Sequence, residues 1–185
     1  MSNLVDGNYI IKDPSELLNK LLFEAGKISG VPDKHDFFNF VVTAAILSEW
    51  VCKYYGSVIP VDLKKTLKGC SDTGLPLESD SWIEDRNCLP NSGQDASRHI
   101  INSVRICWHT TNATKHYEWR SSSGISTIST EAPINNLYDY FFTPVGESLF
   151  IRYKDENYTI VQIKDILIQF YPKLINYLDS LKESE

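Results

Sequence analysis

Apolar residues recur along much of the chain at the spacing of buried helix faces, and they alternate only in one stretch before the last helix. Asp13-Pro14-Ser15-Glu16 has the composition of a helix start. Asp13 can accept a free backbone N–H, Pro14 suits the first helical position, and Glu16 stands three residues after the cap. Leu17, Leu18, Leu21, Leu22, Ala25 and Ile28 then predict one apolar stripe, stopped by Gly30-Val31-Pro32. A second helix is expected from Asp33 to Tyr55, with Gly56 as its stop. It is apolar on nearly every side between Phe37 and Leu47, as befits a helix wrapped by others. A short amphipathic helix is expected between Pro60 and Gly69, and the Gly-, Pro- and Ser-rich stretch from 69 to 93 reads as loop. A third long helix, Gln94 to His116, turns Ala96, Ile100, Val104, Cys107 and Trp108 inward.

Beyond His116 the period changes. Tyr117–Arg120 and Ile125–Thr130 favour extended structure, and Leu149–Tyr153 and Tyr158–Val161 flank Lys154–Asn157 as a hairpin would. The last helix is expected near Ile163–Leu181, with Ile166, Leu167, Phe170, Leu174, Tyr177, Leu178 and Leu181 on one side and a kink at Pro172. These elements predict a mainly α (α+β) fold, a single domain over 1–185. It is a helical bundle carrying a small antiparallel β insertion near 117–161, before the C-terminal helix.

Composition narrows the class. The chain is 42% hydrophobic and 23% charged over 185 residues, the balance of an ordinary globule. A chain of this size hides about 70% of its unfolded surface and needs neither metal nor disulfide to hold a core. Cys52, Cys70, Cys88 and Cys107 are far apart with no C-x-x-C pair, so buried free thiols are expected, with no metal and no cofactor. The N-terminus lacks the order of a secretory signal, and the longest uncharged apolar run, Phe37–Ser48, falls short of the roughly 20 residues that span a bilayer. A cytoplasmic protein with no membrane contact is expected. A net charge of −6 argues against indiscriminate coating of nucleic acid.

Candidate chemistry sits on the third long helix. At about 100° per residue, Arg98, Asn102, Arg105, His109, Asn112 and His116 share an arc of about 80°. Lys115 adds positive charge, and no Asp or Glu occurs between Asp95 and Glu118. Arg offers a planar fork of donors to an oxyanion, and His exchanges a proton near neutral pH. With Asn to orient a phosphate or sugar hydroxyl, the set suits RNA backbone cleavage, His removing the 2′-OH proton while Arg stabilises charge on the phosphate. Arg105, His109, Asn112 and His116 are thus the candidate catalytic residues, and Arg98, Asn102 and Lys115 the candidate nucleic-acid contacts. The same ridge equally suits anion contact without catalysis, or a structural or subunit-contact face tied to the acidic cluster Glu78, Asp80, Glu84 and Asp85. His99 lies off the arc. Phosphate-loop, dinucleotide, zinc-protease and hydrolase-elbow motifs are absent.

Arg98 to His116, ending Asn112-Ala-Thr-Lys115-His116, resembles the HEPN superfamily of small helical bundles found in bacterial toxins and antiviral systems. The resemblance implies a bundle of four or five helices, usually dimeric, whose active members cut RNA without metal through an Arg and a His separated by four to six residues. Here three residues separate Arg105 from His109 and ten separate Arg105 from His116, so neither pair has that spacing. The matching positions are Arg105, Asn112 and His116. The function expected is a HEPN-like component of a defence or toxin-type system that contacts RNA or another phosphate-bearing ligand. The alternative is a non-catalytic accessory subunit, with a larger protein or a second copy of the chain as partner.

Overall fold

The structure, a computed structural model, describes residues 11–28, 34–90, 95–116, 125–128, 150–154 and 156–184. Helix α1 (Pro14–Lys27) starts as its sequence dictates: Asp13 Oδ1 accepts from the N–H groups of Ser15 and Glu16 at 2.9 and 3.1 Å. Glu16 reaches back to the N–H of Lys12 at 2.8 Å, one residue before the cap. Leu17, Leu21, Ala25 and Ile28 are buried, whereas Leu22, on the edge of the predicted stripe, is exposed. The expected stop at Gly30–Pro32 lies outside the described residues.

Helix α2 (Lys34–Tyr54) is the centre of the bundle. Phe37, Phe40, Val41, Ala44, Leu47 and Val51 are all buried, and the helix packs against α1, against the short helix α3 (Val61–Leu67), and against the two long helices that follow. Burial is nonetheless limited to one broad face: Asn39, Ile46 and Lys53 on the opposite side are exposed, so α2 is covered on most sides and not wrapped all round as its composition predicts. The stretch expected to be loop includes two 3₁₀ turns, Leu77–Trp82 and Arg86–Cys88. It also makes a close approach at Gly74, whose φ is 119°. A Cβ there would stand 2.5 Å from the Asp62 carbonyl. Only glycine fits.

Helix α4 (Ala96–His116) follows, then strands β1 (Ile125–Ile128), β2 (Phe150–Tyr153) and β3 (Glu156–Thr159), paired antiparallel in the order β1-β2-β3. Ile151 faces Tyr158, Arg152 faces Asn157, and Tyr153 faces Glu156. Pairing thus continues to Tyr153 and Glu156, inside the four-residue connection expected, and Lys154 follows with a φ of 54°. Ile160 and Val161, expected to extend the strand, instead open α5 (Ile160–Glu183). The reason is a capping box: Gln162 N–H donates to Thr159 Oγ1 at 3.1 Å while Gln162 Oε1 accepts from Thr159 N–H at 2.9 Å. Two reciprocal hydrogen bonds outweigh the strand preference of two β-branched residues. The helix runs on through Pro172. The expected extended segment at 117–120 and the end of the one at 125–130 lie outside the described residues.

Polar anchors lock α5 to α2. The Tyr171 hydroxyl donates to the Ala44 carbonyl at 3.0 Å, so the Ser48 hydroxyl, 2.8 Å away, donates to it in turn. Tyr55 donates to Asp179 at 2.6 Å. The chain is thus mainly helical, with a small antiparallel sheet ahead of the C-terminal helix, as the pattern of apolar residues predicts.

Two glycines should respond in opposite directions. Gly74→Ala is expected to lower stability by about 1–3 kcal/mol, since it forces a side chain into a left-handed site against backbone. Gly26→Ala, which meets nothing within 4 Å inside α1, should raise stability by roughly 1 kcal/mol. Urea unfolding midpoints at unchanged slope measure both, and a tolerant Gly74 would refute the close approach.

Candidate functional site

Ala96, Ile100, Val104 and Cys107 anchor α4 in the core, and Trp108 is half-buried over Gly69. The polar ridge is thereby turned toward the β2–β3 hairpin and the loop around Asp72. Along the hairpin the two-residue period sets Ile151, Tyr153 and Tyr158 inward, all buried, and Arg152 and Asn157 outward, both exposed. The inward tyrosines bring hydroxyls to α4.

Tyr158 is the first meeting point. Its hydroxyl donates to Glu156 Oε2 at 2.7 Å and lies 2.8 Å from both Asn102 Nδ2 and His99 Nδ1. One hydroxyl proton, already given to the carboxylate, leaves the oxygen as acceptor for the other two. His99 must therefore carry its proton on Nδ1, which also stands 3.3 Å from Glu156 Oε2. Arg98 pairs with the other oxygen of the same carboxylate. So Arg98 and Asn102 do come together, and His99, which the helical wheel sets off the ridge, joins them in the interior with 1% of its surface exposed. Burial pushes the His99 imidazole below its ordinary range, with Glu156 opposing and Arg98 assisting. Burial likewise pushes the Tyr158 phenol up.

Arg105 forms the second meeting point. Its Nη1 donates to Asp72 Oδ1 and, at 3.2 Å, to the Tyr153 hydroxyl. Lys154 Nζ donates to the same Asp72 oxygen at 3.1 Å. The Arg105 side chain is only 14% exposed, and its Nε is buried with no hydrogen-bond partner among the described residues. Burial raises the Asp72 carboxyl, but the Lys154 ammonium and the Arg105 guanidinium outweigh it and hold the group below the usual carboxylate range. One turn on, His109 is half-buried, and burial together with the Arg105 charge pushes its imidazole down, so it is neutral at pH 7. Asn112 is half-buried farther along. The side chains of Lys115 and His116 lie outside the described residues, as do Tyr117 and Trp119.

The ridge that is free of acid in sequence is therefore met by two carboxylates in space. Neither comes from the 78–85 cluster, which meets the start of α4 and the side of α5 but not the ridge arginines. Asp80 pairs with Arg86 and accepts the N–H of Ala96 at 2.8 Å, Glu84 pairs with Lys173 at 2.8 Å, and Asp85 accepts the N–H of Asn87 at 3.1 Å. Asp72 and Glu156 are 33 and 58 positions from their arginines, and no local pattern points to them.

Beside the ridge opens a cleft of about 480 Å³, with apolar lining from Leu75, Leu77 and Ile101 and charged lining from Asp72, Asp95, Arg98 and Lys154. Leu77 is 99% exposed at its side. Burial lifts the thiols of Cys52 and Cys88 to about 11, so neither is a nucleophile at neutral pH. Cys70, expected to be buried, is exposed. Among the described residues no His, Cys, Asp and Glu side chains converge as metal ligands would, and no helix is long and apolar enough to cross a membrane. Compared with protein-family models, with curated proteins and with solved structures, the chain has no match.

The hydroxyl network makes two predictions. Tyr158→Phe takes the acceptor from buried Asn102 and one bond each from His99 and Glu156, and should destabilise by about 1–3 kcal/mol; a smaller loss in urea unfolding would mean that water replaces the hydroxyl. His99 and His109 bind protons less readily folded than unfolded, so the unfolded chain takes up protons first as pH falls. Stability is complete above about pH 6.5 and declines below it, by at most about 1.4 kcal/mol per pH unit for each histidine. His99→Gln, which cannot titrate, should flatten that decline below about pH 6.5, and an unchanged slope counts against the buried neutral imidazole.

Proposed function

We propose that this chain is a non-catalytic accessory subunit, HEPN-like in its helical frame and belonging to a defence or toxin-type system, that binds a larger protein through the cleft beside α4. The observation that carries this reading is the make-up of the cleft: Leu77 is fully exposed beside a half-buried Leu75, and charges of both signs surround them. An apolar centre with a mixed charged rim is the composition of a protein interface, in which the hydrophobic contacts supply affinity and the charges fix register. A polyphosphate backbone prefers a surface with excess positive charge. Here two cations are balanced by Asp72 and Asp95, on a chain of net charge −6.

A second reading, metal-independent RNA cleavage, is favoured by one observation. His109 is neutral at pH 7 and stands one turn from Arg105, the form and spacing in which an imidazole can take a hydroxyl proton beside a guanidinium.

Both are tested with the intact chain. Size-exclusion chromatography with light scattering, alone and with the product of an adjacent gene, should show a complex, and Leu77→Asp should weaken it at least tenfold while leaving the unfolding midpoint unchanged. A complex indifferent to Leu77→Asp places the interface elsewhere. Transfer RNA incubated with the protein in chelator should remain intact; cleavage that disappears in both Arg105→Ala and His109→Ala would replace the accessory reading with the enzymatic one.

A further inference from the structure

Arg105 and Asp72 are unequal partners. The guanidinium is sheltered, held by the Tyr153 hydroxyl and by burial, with an Nε–H still unspent. The carboxylate it holds is 56% exposed and engages through a single oxygen, Oδ1, which Lys154 shares. The loop bearing Asp72 is fixed on its far side: the Thr73 N–H donates to Ser71 Oγ at 3.2 Å and Gly74 lies against Asp62. Only the Asp72 side chain need rotate for the seat to empty. A carboxylate that faces solvent and is held through one oxygen can swing away, whereas a cation positioned in advance loses little freedom on meeting a new anion. Lys154 strengthens the asymmetry. Its φ of 54° suits Gly or Asn at this turn position, and the lysine there brings its ammonium to the Asp72 carboxylate.

We infer that Arg105, Lys154 and the Tyr153 hydroxyl form a carboxylate seat, that Asp72 is its internal occupant, and that an acidic side chain flanked by apolar residues on a protein partner displaces Asp72 to dock in the adjoining cleft. The inference rests on the partner-binding reading for the source of that side chain. The seat takes a carboxylate in the structure itself. The cleft next to it supplies Leu75, Leu77 and Ile101 for apolar neighbours, and Asp95 on its wall opposes a phosphate chain.

The test uses the full chain and three probes: isovalerate, which joins a carboxylate to a short apolar tail, inorganic phosphate, and a short single-stranded RNA. Binding is followed by the NMR signals of the Arg105 Nε–H and of Lys154. Asp72→Asn should bind isovalerate about tenfold tighter than the unaltered chain. Adding Lys154→Gln, an exposed change that leaves the fold alone, or Arg105→Gln should cancel the gain. Glu84→Gln removes the same charge from the exposed Lys173 pair, away from the hairpin, and should leave isovalerate affinity unchanged. No gain in Asp72→Asn, an equal gain in Glu84→Gln, or a larger gain for phosphate or RNA than for isovalerate each overturns the seat as described. Complex formation with the adjacent gene product is a separate readout. If the complex forms while Asp72→Asn shows no gain, the seat alone falls; if the seat responds and no complex forms, the partner reading falls and a carboxylate site remains.

Discussion

A hydroxyl proton that can be given only once organises the polar side of this protein. Tyr158 spends it on Glu156, so Asn102 and His99 must both donate to the phenol oxygen. The cluster is shut away from water, where a satisfied network is rigid and an unsatisfied one is expensive. It therefore ties β3 to α4 in one arrangement and selects one tautomer of His99. With β3 fixed, the tight turn beside it places Lys154, and with Tyr153 on β2 placed as well, Arg105 finds its hydroxyl and its carboxylate. The Arg98–Glu156 pair is another consequence of the same docking.

This arrangement changes what the α4 charges can do. A row of cations left open to water attracts phosphate by its field alone, but each arginine here already has an anion against it, and the far-reaching attraction is cancelled. What remains is short-range and geometric. Arg98 keeps more than half of its side chain exposed, while Arg105 is recessed behind an exchangeable carboxylate. A partner that recognises this face must match it residue by residue, with apolar contact at Leu77 and charge where Asp72 now stands. That requirement favours a folded or extended protein segment over a uniform polyanion.

Much of the helical frame is legible in the chain. The Asp13–Pro14 start of α1 is written in side chains that act within one turn, and the density of apolar residues in α2 marks its central place, although it conceals the side that stays open at Asn39 and Ile46. The ridge is legible too, because a helix converts spacing into direction by a fixed angle. Leu22 is exposed because the apolar stripe is slightly wider than the face the bundle covers. At Ile160 and Val161 strand preference is the louder signal in the sequence, although Thr159 and Gln162 spell the cap that prevails. His99 lies off the arc, but the wheel gives direction from the helix axis and says nothing about the reach of a carboxylate from a neighbouring hairpin.

The helix-rich class, the order of the elements and the one polar arc on α4 follow from local spacing, since each depends on interactions among residues a few positions apart. That Asp72 and Glu156 neutralise that arc, that a tyrosine hydroxyl joins His99 to Asn102, and that a mixed-charge cleft opens beside Leu77 all emerge with the folded arrangement. Those outcomes depend on which surfaces the core brings together. Coulombic and hydrogen-bond partners act over a few ångströms of space, whatever number of residues separates them along the chain.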